Sequence, residues 1–77
     1  MIIQLKLQGP LQKYGKSAGM FEYETAAKTC SLDELLQDLG IPASSVSFIT
    51  VNGLKKEWHC LLKGGETVVI YPRVAGG

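Results

Sequence analysis

The feature that most constrains this chain is one short helix with explicit start and stop signals. Ser31 precedes Glu34 by three residues, the spacing of a capping box. In that motif the hydroxyl accepts from the Glu34 amide and the carboxylate reaches back to the Ser31 amide. Leu32, Leu35, Leu36 and Leu39 then fall at i, i+3, i+4 and i+7 and form one apolar stripe. Asp33 and Glu34 lie at the positive end of the helix dipole. Gly40 suits a left-handed C-terminal cap, and Pro42 prevents continuation. A helix this short cannot bury its stripe alone and requires a sheet to cover it.

The rest of the sequence supplies that sheet. Residues 2–8 alternate with period two and place Ile3, Leu5 and Leu7 on one side, as in a half-buried strand, until Gly9-Pro10 stops it. Residues 11–19 read as a polar connection, long for a tight hairpin. Residues 20–25 alternate again, Phe21 and Tyr23 against Glu22 and Glu24, and predict a second strand antiparallel to the first. After the helix, residues 46–51 form a third strand closed by the turn dipeptide Asn52-Gly53, and residues 54–57 a short fourth. Residues 58–63 read as a turn-rich crossover ending in Gly64-Gly65, and residues 67–71 as the last strand, ended by Pro72. Strands and helix do not alternate regularly, so the expected class is α+β, a mixed sheet of four to five strands on one main helix. A right-handed crossover places the last strand beside the first, in the centre.

Composition narrows the function classes. Seventy-seven residues allow a single domain, and 45% hydrophobic with 19% charged residues fits a folded protein rather than a disordered linker. A net charge of +1 gives no electrostatic footprint for nucleic acid, and no basic cluster marks a membrane surface. No stretch approaches the roughly 18 apolar residues of a membrane span, and no apolar leader follows the alternating first segment. Cys30 and Cys60 are too few for a disulfide scaffold. The expected setting is therefore soluble, reducing and cytoplasmic.

Two features exceed what a core requires. The last strand is apolar on both sides, with Val68 and Ile70 facing one way and Val69 and Tyr71 the other, although one helix covers only one face. Phe48 raises the same question in the third strand, where Ile49 and Val51 form the core-facing pair. Phe48, Val69 and Tyr71 are thus expected to share an exposed patch that binds a partner. The second feature is the ending Arg73-Val74-Ala75-Gly76-Gly77. At about 3.3–3.6 Å per residue, residues 74–77 reach roughly 13 Å from the body. Glycines without Cβ let such a segment thread a narrow channel.

Strand order, the sequence "VNG" and the run "LLKGGETVVIYPRVAGG" together resemble the ubiquitin-like β-grasp sulfur-carrier proteins, over the whole chain in element order. These are the small subunit of molybdopterin synthase and the thiamine thiazole sulfur carrier. The ending "VAGG" after a proline is more similar to the molybdopterin synthase branch, and Arg73 departs from it where that branch often has a second proline. The resemblance implies a β-grasp domain over residues 1–72 and a flexible tail over residues 73–77. It implies that a ubiquitin-activating-type enzyme uses ATP to adenylate the Gly77 carboxylate, which then becomes a thiocarboxylate and donates sulfur. Arg73, Val74, Ala75 and Gly76 would line the partner's channel. A larger molybdopterin synthase subunit, or an equivalent acceptor enzyme, would be the second partner, in molybdenum or tungsten cofactor synthesis. The chain itself would be no enzyme and hold no cofactor or metal. The alternatives are the thiazole pathway and a ubiquitin-like modifier joined through Gly77 to target lysines.

Other constellations read as structural. His59 and Cys60 are adjacent on an extended segment and point to opposite sides, so Cys60 is expected as a small buried hydrophobe and His59 as a surface residue. With Cys30 they lack the paired spacing of a zinc site. Gly64-Gly65-Glu66 precedes a strand rather than a helix and is a turn, not a phosphate loop. Lys13, Lys16, Lys55 and Lys56 are expected as solvated side chains, the last two also placed to meet an acidic partner. Trp58 closes one end of the core.

Overall fold

The computed structural model describes residues 1–15 and 19–73. Strand β1 (Ile2–Leu7) is followed by a 3-10 helix (Gly9–Tyr14), β2 (Phe21–Glu24), β3 (Cys30–Ser31) and helix α1 (Leu32–Leu39). A second 3-10 turn (Ala43–Ser45) leads to β4 (Val46–Val51), β5 (Leu54–Lys56), β6 (Leu61–Leu62) and β7 (Thr67–Pro72). The main sheet has five strands in the order β2-β1-β7-β4-β5, and β3 pairs with β6 in a separate two-stranded ladder. β1 and β7 are parallel, as a right-handed crossover requires, and the other pairs are antiparallel. The expected α+β class, with a mixed sheet on one main helix, is the one observed.

Local signals act as the sequence implies. Ser31 Oγ accepts from the Glu34 amide at 3.2 Å, and Glu34 Oε1 accepts from the Ser31 amide at 3.1 Å. Gly40 ends the helix at φ 77°, a conformation that costs a residue without Cβ nothing. Leu32, Leu35 and Leu36 are buried, and Leu39 packs on the core half-buried. They meet the alternate residues of the central strands: Ile3, Leu5 and Leu7 of β1, and Val68 and Ile70 of β7.

Three local expectations are corrected. The connection after β1 is not wholly polar loop, because residues 9–14 form a 3-10 helix that buries Leu11 in the core. The crossover at residues 58–63 contains β6, whose Leu62 is fully buried opposite Cys30. Both elements are too short for their own periodicity to show. Pro72 is the last residue of β7 rather than the stop after it, and lies opposite Val46. A residue without an N–H is tolerated there because the ladder ends with it.

Tyr23 ties β2 to the end of α1, since its hydroxyl donates a hydrogen bond to the Asp38 carboxylate. Burial, and then that carboxylate, push the Tyr23 pKa well above its ordinary value of 10.0. Because the folded state keeps this proton where the unfolded chain gives it up, stability is fully present below pH 10.0 and falls as pH rises beyond it. Tyr23→Phe is expected to flatten that alkaline decline in urea melts run at increasing pH. An unchanged slope would assign the decline to other groups.

Candidate functional site

One face of the sheet carries α1, and the other is open. β4 decides what stands on it. Val46 pairs with Pro72 and Phe48 with Tyr71, which leaves Ser47 as an extra residue in a β-bulge. The bulge lets Val46 and Ile49 both face the core at 1% and 2% exposure, while Phe48 turns to the open face. There the Phe48 and Tyr71 rings stack with centroids 4.4 Å apart and planes inclined by 15°. Such a pair contributes about 0.5–1.5 kcal/mol beyond its area.

The surroundings of this stack are apolar in the middle and cationic on both sides. Val69 precedes Tyr71 by two residues on β7 and is half-buried on the same face, opposite Thr50 of β4. Lys55 of β5 pairs with Thr50 and sets its Nζ 5.5 Å above the Phe48 ring. On the other side of β7, Lys6 stands opposite Val69. A cavity of about 160 Å³ lies beside the stack between Phe48, Lys55 and Trp58. Phe48, Val69 and Tyr71, expected from the strand pattern to share one face, all stand on it, half-buried. The sequence marks Lys55 as a solvated lysine placed to meet an acidic partner, and gives no sign of its contact with Phe48. Its place over Phe48 follows from the two-residue turn, because Asn52-Gly53 forces Thr50 opposite Lys55.

The face adjoins the point where the chain leaves the sheet. β7 ends at Pro72, and the exposed Arg73 donates its amide to the Ser45 carbonyl at 2.9 Å. Tyr71 therefore stands two residues before the last described position. Val74, Ala75, Gly76 and Gly77, with the extended exposed course expected of them, lie outside the described residues.

The cysteine and histidine positions make no nucleophilic site. His59 is exposed, with Nδ1 4.0 Å from Asp33 Oδ2. The Cys60 thiol lies toward the Leu61 carbonyl at 3.8 Å, and Cys60 is half-buried rather than the buried side chain expected, because β6 begins at the rim of the fold. Cys30 is buried, and burial, followed by the charges of Glu34 and Asp38, raises its pKa, so it stays a thiol. Among the described residues no group of three His, Cys, Asp or Glu side chains is placed to hold a metal ion. No described helix is long and apolar enough to cross a membrane.

The profile of the family described as Mut7-C ubiquitin matches residues 3–76. No curated protein matches the sequence significantly. Among solved structures, SAMP1 from Haloferax volcanii superposes with a TM-score of 0.72 at 14% identity, over the full length of both chains. The HVO 2177 protein of the same organism gives 0.75 at 16% identity, over all of this chain and 87% of that one. A chain from the protein–protein complex of subunits 1 and 2 of molybdopterin-converting factor from Helicobacter pylori 26695 gives 0.59 at 25% identity, again over both full lengths. The two Haloferax proteins share this chain's fold.

Proposed function

The chain belongs to the Mut7-C ubiquitin family, and from that footing we propose that it is a sulfur carrier acting through the carboxylate of Gly77. The observation that carries this reading is the adjacency of the stacked Phe48–Tyr71 face to the end of β7. A partner seated on the face has the start of the Gly-Gly tail beside it. The full-length likeness to a subunit of molybdopterin-converting factor supports the same reading and favours molybdopterin synthesis as the pathway.

The chemistry follows from the terminal group. A carboxylate is a poor electrophile, so an ATP-using activating enzyme is needed. A Gly77 carboxylate oxygen attacks the α-phosphorus of ATP, and pyrophosphate leaves. Sulfide (HS⁻) supplied by the partner system then attacks the acyl carbon, its C–S bond replaces the C–O bond to phosphate, and AMP departs. The product is a thiocarboxylate whose sulfur is a soft nucleophile for an acceptor bound to a larger synthase subunit. The carrier contributes presentation: a rigid sheet docks, and Arg73, Val74, Ala75 and Gly76 run through the partner's channel to set the reacting carbon. The free thiols Cys30 and Cys60 fit the reducing, cytoplasmic setting of this chemistry.

Two measurements test the reading. With the activating enzyme and ATP, the full chain is expected to form a trappable acyl-adenylate, and the chain lacking Gly77 is expected to form none. Mass spectrometry of the protein from its native cells is expected to show oxygen-to-sulfur exchange at the terminal carboxyl. Gly77 found in isopeptide linkage to lysines would make the protein a modifier instead. A native chain extending untrimmed past Gly77 would end the proposal, because that carboxyl would be a peptide carbonyl.

A further inference from the structure

We propose that the free edge of β2, with the groove beneath it, takes an extended basic segment of a partner protein as an added strand of the sheet. This inference is independent of the tail chemistry. β2 lies at one end of the strand order, so among the described residues one of its edges faces no strand. The ladder shows which groups that edge presents. Thr25 donates its amide to the Met1 carbonyl at 3.0 Å, and bonding pairs recur at every second residue of an antiparallel ladder. Tyr23 and Phe21 therefore spend their backbone groups on Ile3 and Leu5, and the amides and carbonyls of Glu22 and Glu24 point outward. Both residues are exposed, and among the described residues their backbone groups have no other partner.

Below this edge, toward α1, lies a groove of about 680 Å³. Its apolar surface comes from Ile2, Tyr14, Phe21 and Leu39, and the Tyr23–Asp38 hydrogen bond forms one wall. An added strand alternates its side chains between the two faces. One set would enter the groove against Phe21 and Leu39, and the other would lie on the open face beside Glu22 and Glu24.

Charge selects the occupant. Asp38 lines the groove from the helix side, Glu22 and Glu24 border it along β2 with their side chains toward the open face, and among the described residues none of the three is in an ion pair. Two described cations stand near the groove: Lys13, with Nζ 5.3 Å from the Tyr14 ring centroid, and the Met1 ammonium, which donates to the Thr25 carbonyl at 2.6 Å and forms no ion pair with Glu24. Opposite charges directly across a ladder stabilise it and like charges oppose it. Two copies joined β2 to β2 would set these glutamates against one another, whereas a segment alternating apolar and basic residues matches the groove and its rim together.

The test uses the isotopically labelled full chain and a capped synthetic peptide of about eight alternating lysine and valine residues. On binding, amide shifts are expected in residues 20–25 and at Asp38 and Leu39, with slowed solvent exchange of the Glu22 and Glu24 amides. The same peptide with glutamate for lysine is expected to bind at least about tenfold more weakly. The double change Glu22→Lys and Glu24→Lys, at two exposed positions, should invert that preference. Shifts confined to the Phe48–Tyr71 face, or equal binding of both peptides, would overturn the proposal. So would concentration-dependent protection of Glu22 and Glu24 without peptide, which would make a second copy the occupant, through its basic β5 edge at Lys55 and Lys56.

Discussion

Tyr71→Glu is expected to weaken binding to the activating enzyme by roughly thirtyfold or more, the loss of about 2 kcal/mol that marks an interface anchor. The fold should survive. Tyr71 lies half-buried on the open face, and what it contacts there is the Phe48 ring and neighbouring side chains rather than the core. Losing the stack removes about 0.5–1.5 kcal/mol, so the melting temperature should drop by several degrees and the melt should remain cooperative. Calorimetric titration against the enzyme, with a thermal melt of the same sample, reads both quantities. Undiminished binding would remove this face from the interface. Phe48→Glu should behave in the same way, since each ring holds the other in place.

One residue earlier in the chain the outcome reverses. Ile70→Ala is expected to leave every exposed surface intact and to destabilise the domain by about 2–5 kcal/mol, the cost of a cavity left by a deleted buried side chain. Ile70 is fully buried on the central strand, between Leu7 of β1 and Ile49 of β4. A chain of 77 residues has a total stability of only roughly 4–11 kcal/mol, so the melting midpoint should fall by about 10 °C or more. Any loss of binding should then track the unfolded fraction and vanish on cooling. A midpoint within about 3 °C of the parent would mean that β7 is not the strand around which the core is organised. Two neighbours in sequence thus separate fold from docking, because successive side chains of a strand point to opposite faces.

Much of this fold is legible in the amino-acid sequence. The helix can be bounded to the residue, because capping box, leucine stripe and glycine cap are all written within a ten-residue window and act on backbone groups of that same window. The Asn52-Gly53 hairpin is equally plain, since both residues take positive φ in a two-residue turn. The two-sided apolarity of residues 67–71 identifies the central strand and the half-buried apolar side chains on its open face. β3, β6 and the 3-10 helix are not legible. Two-residue strands carry no periodicity, and Leu11 and Leu62 are apolar residues whose burial depends on distant partners. The groove under β2 is hidden for the same reason. Its lining comes from residues near positions 2, 14, 21–24 and 38–39, which come together only when the strand and the helix pack.

The amino-acid order alone settled the elements whose defining hydrogen bonds close within a few residues, and the parity of each strand, because those rest on backbone preferences local to the segment. It also settled that one sheet face would lie bare, since a single helix covers a single face. The bulge at Ser47 belongs to the tertiary fold. Strict alternation would have put Val46 and Phe48 on the same side. Only the pairing of β4 with β7, with Pro72 opposite Val46 and Tyr71 opposite Phe48, sends one into the core and the other into the aromatic stack. The physical reason is that a bulge is stabilised by what stands across the ladder, and the residue across it lies roughly twenty-five positions further along the chain.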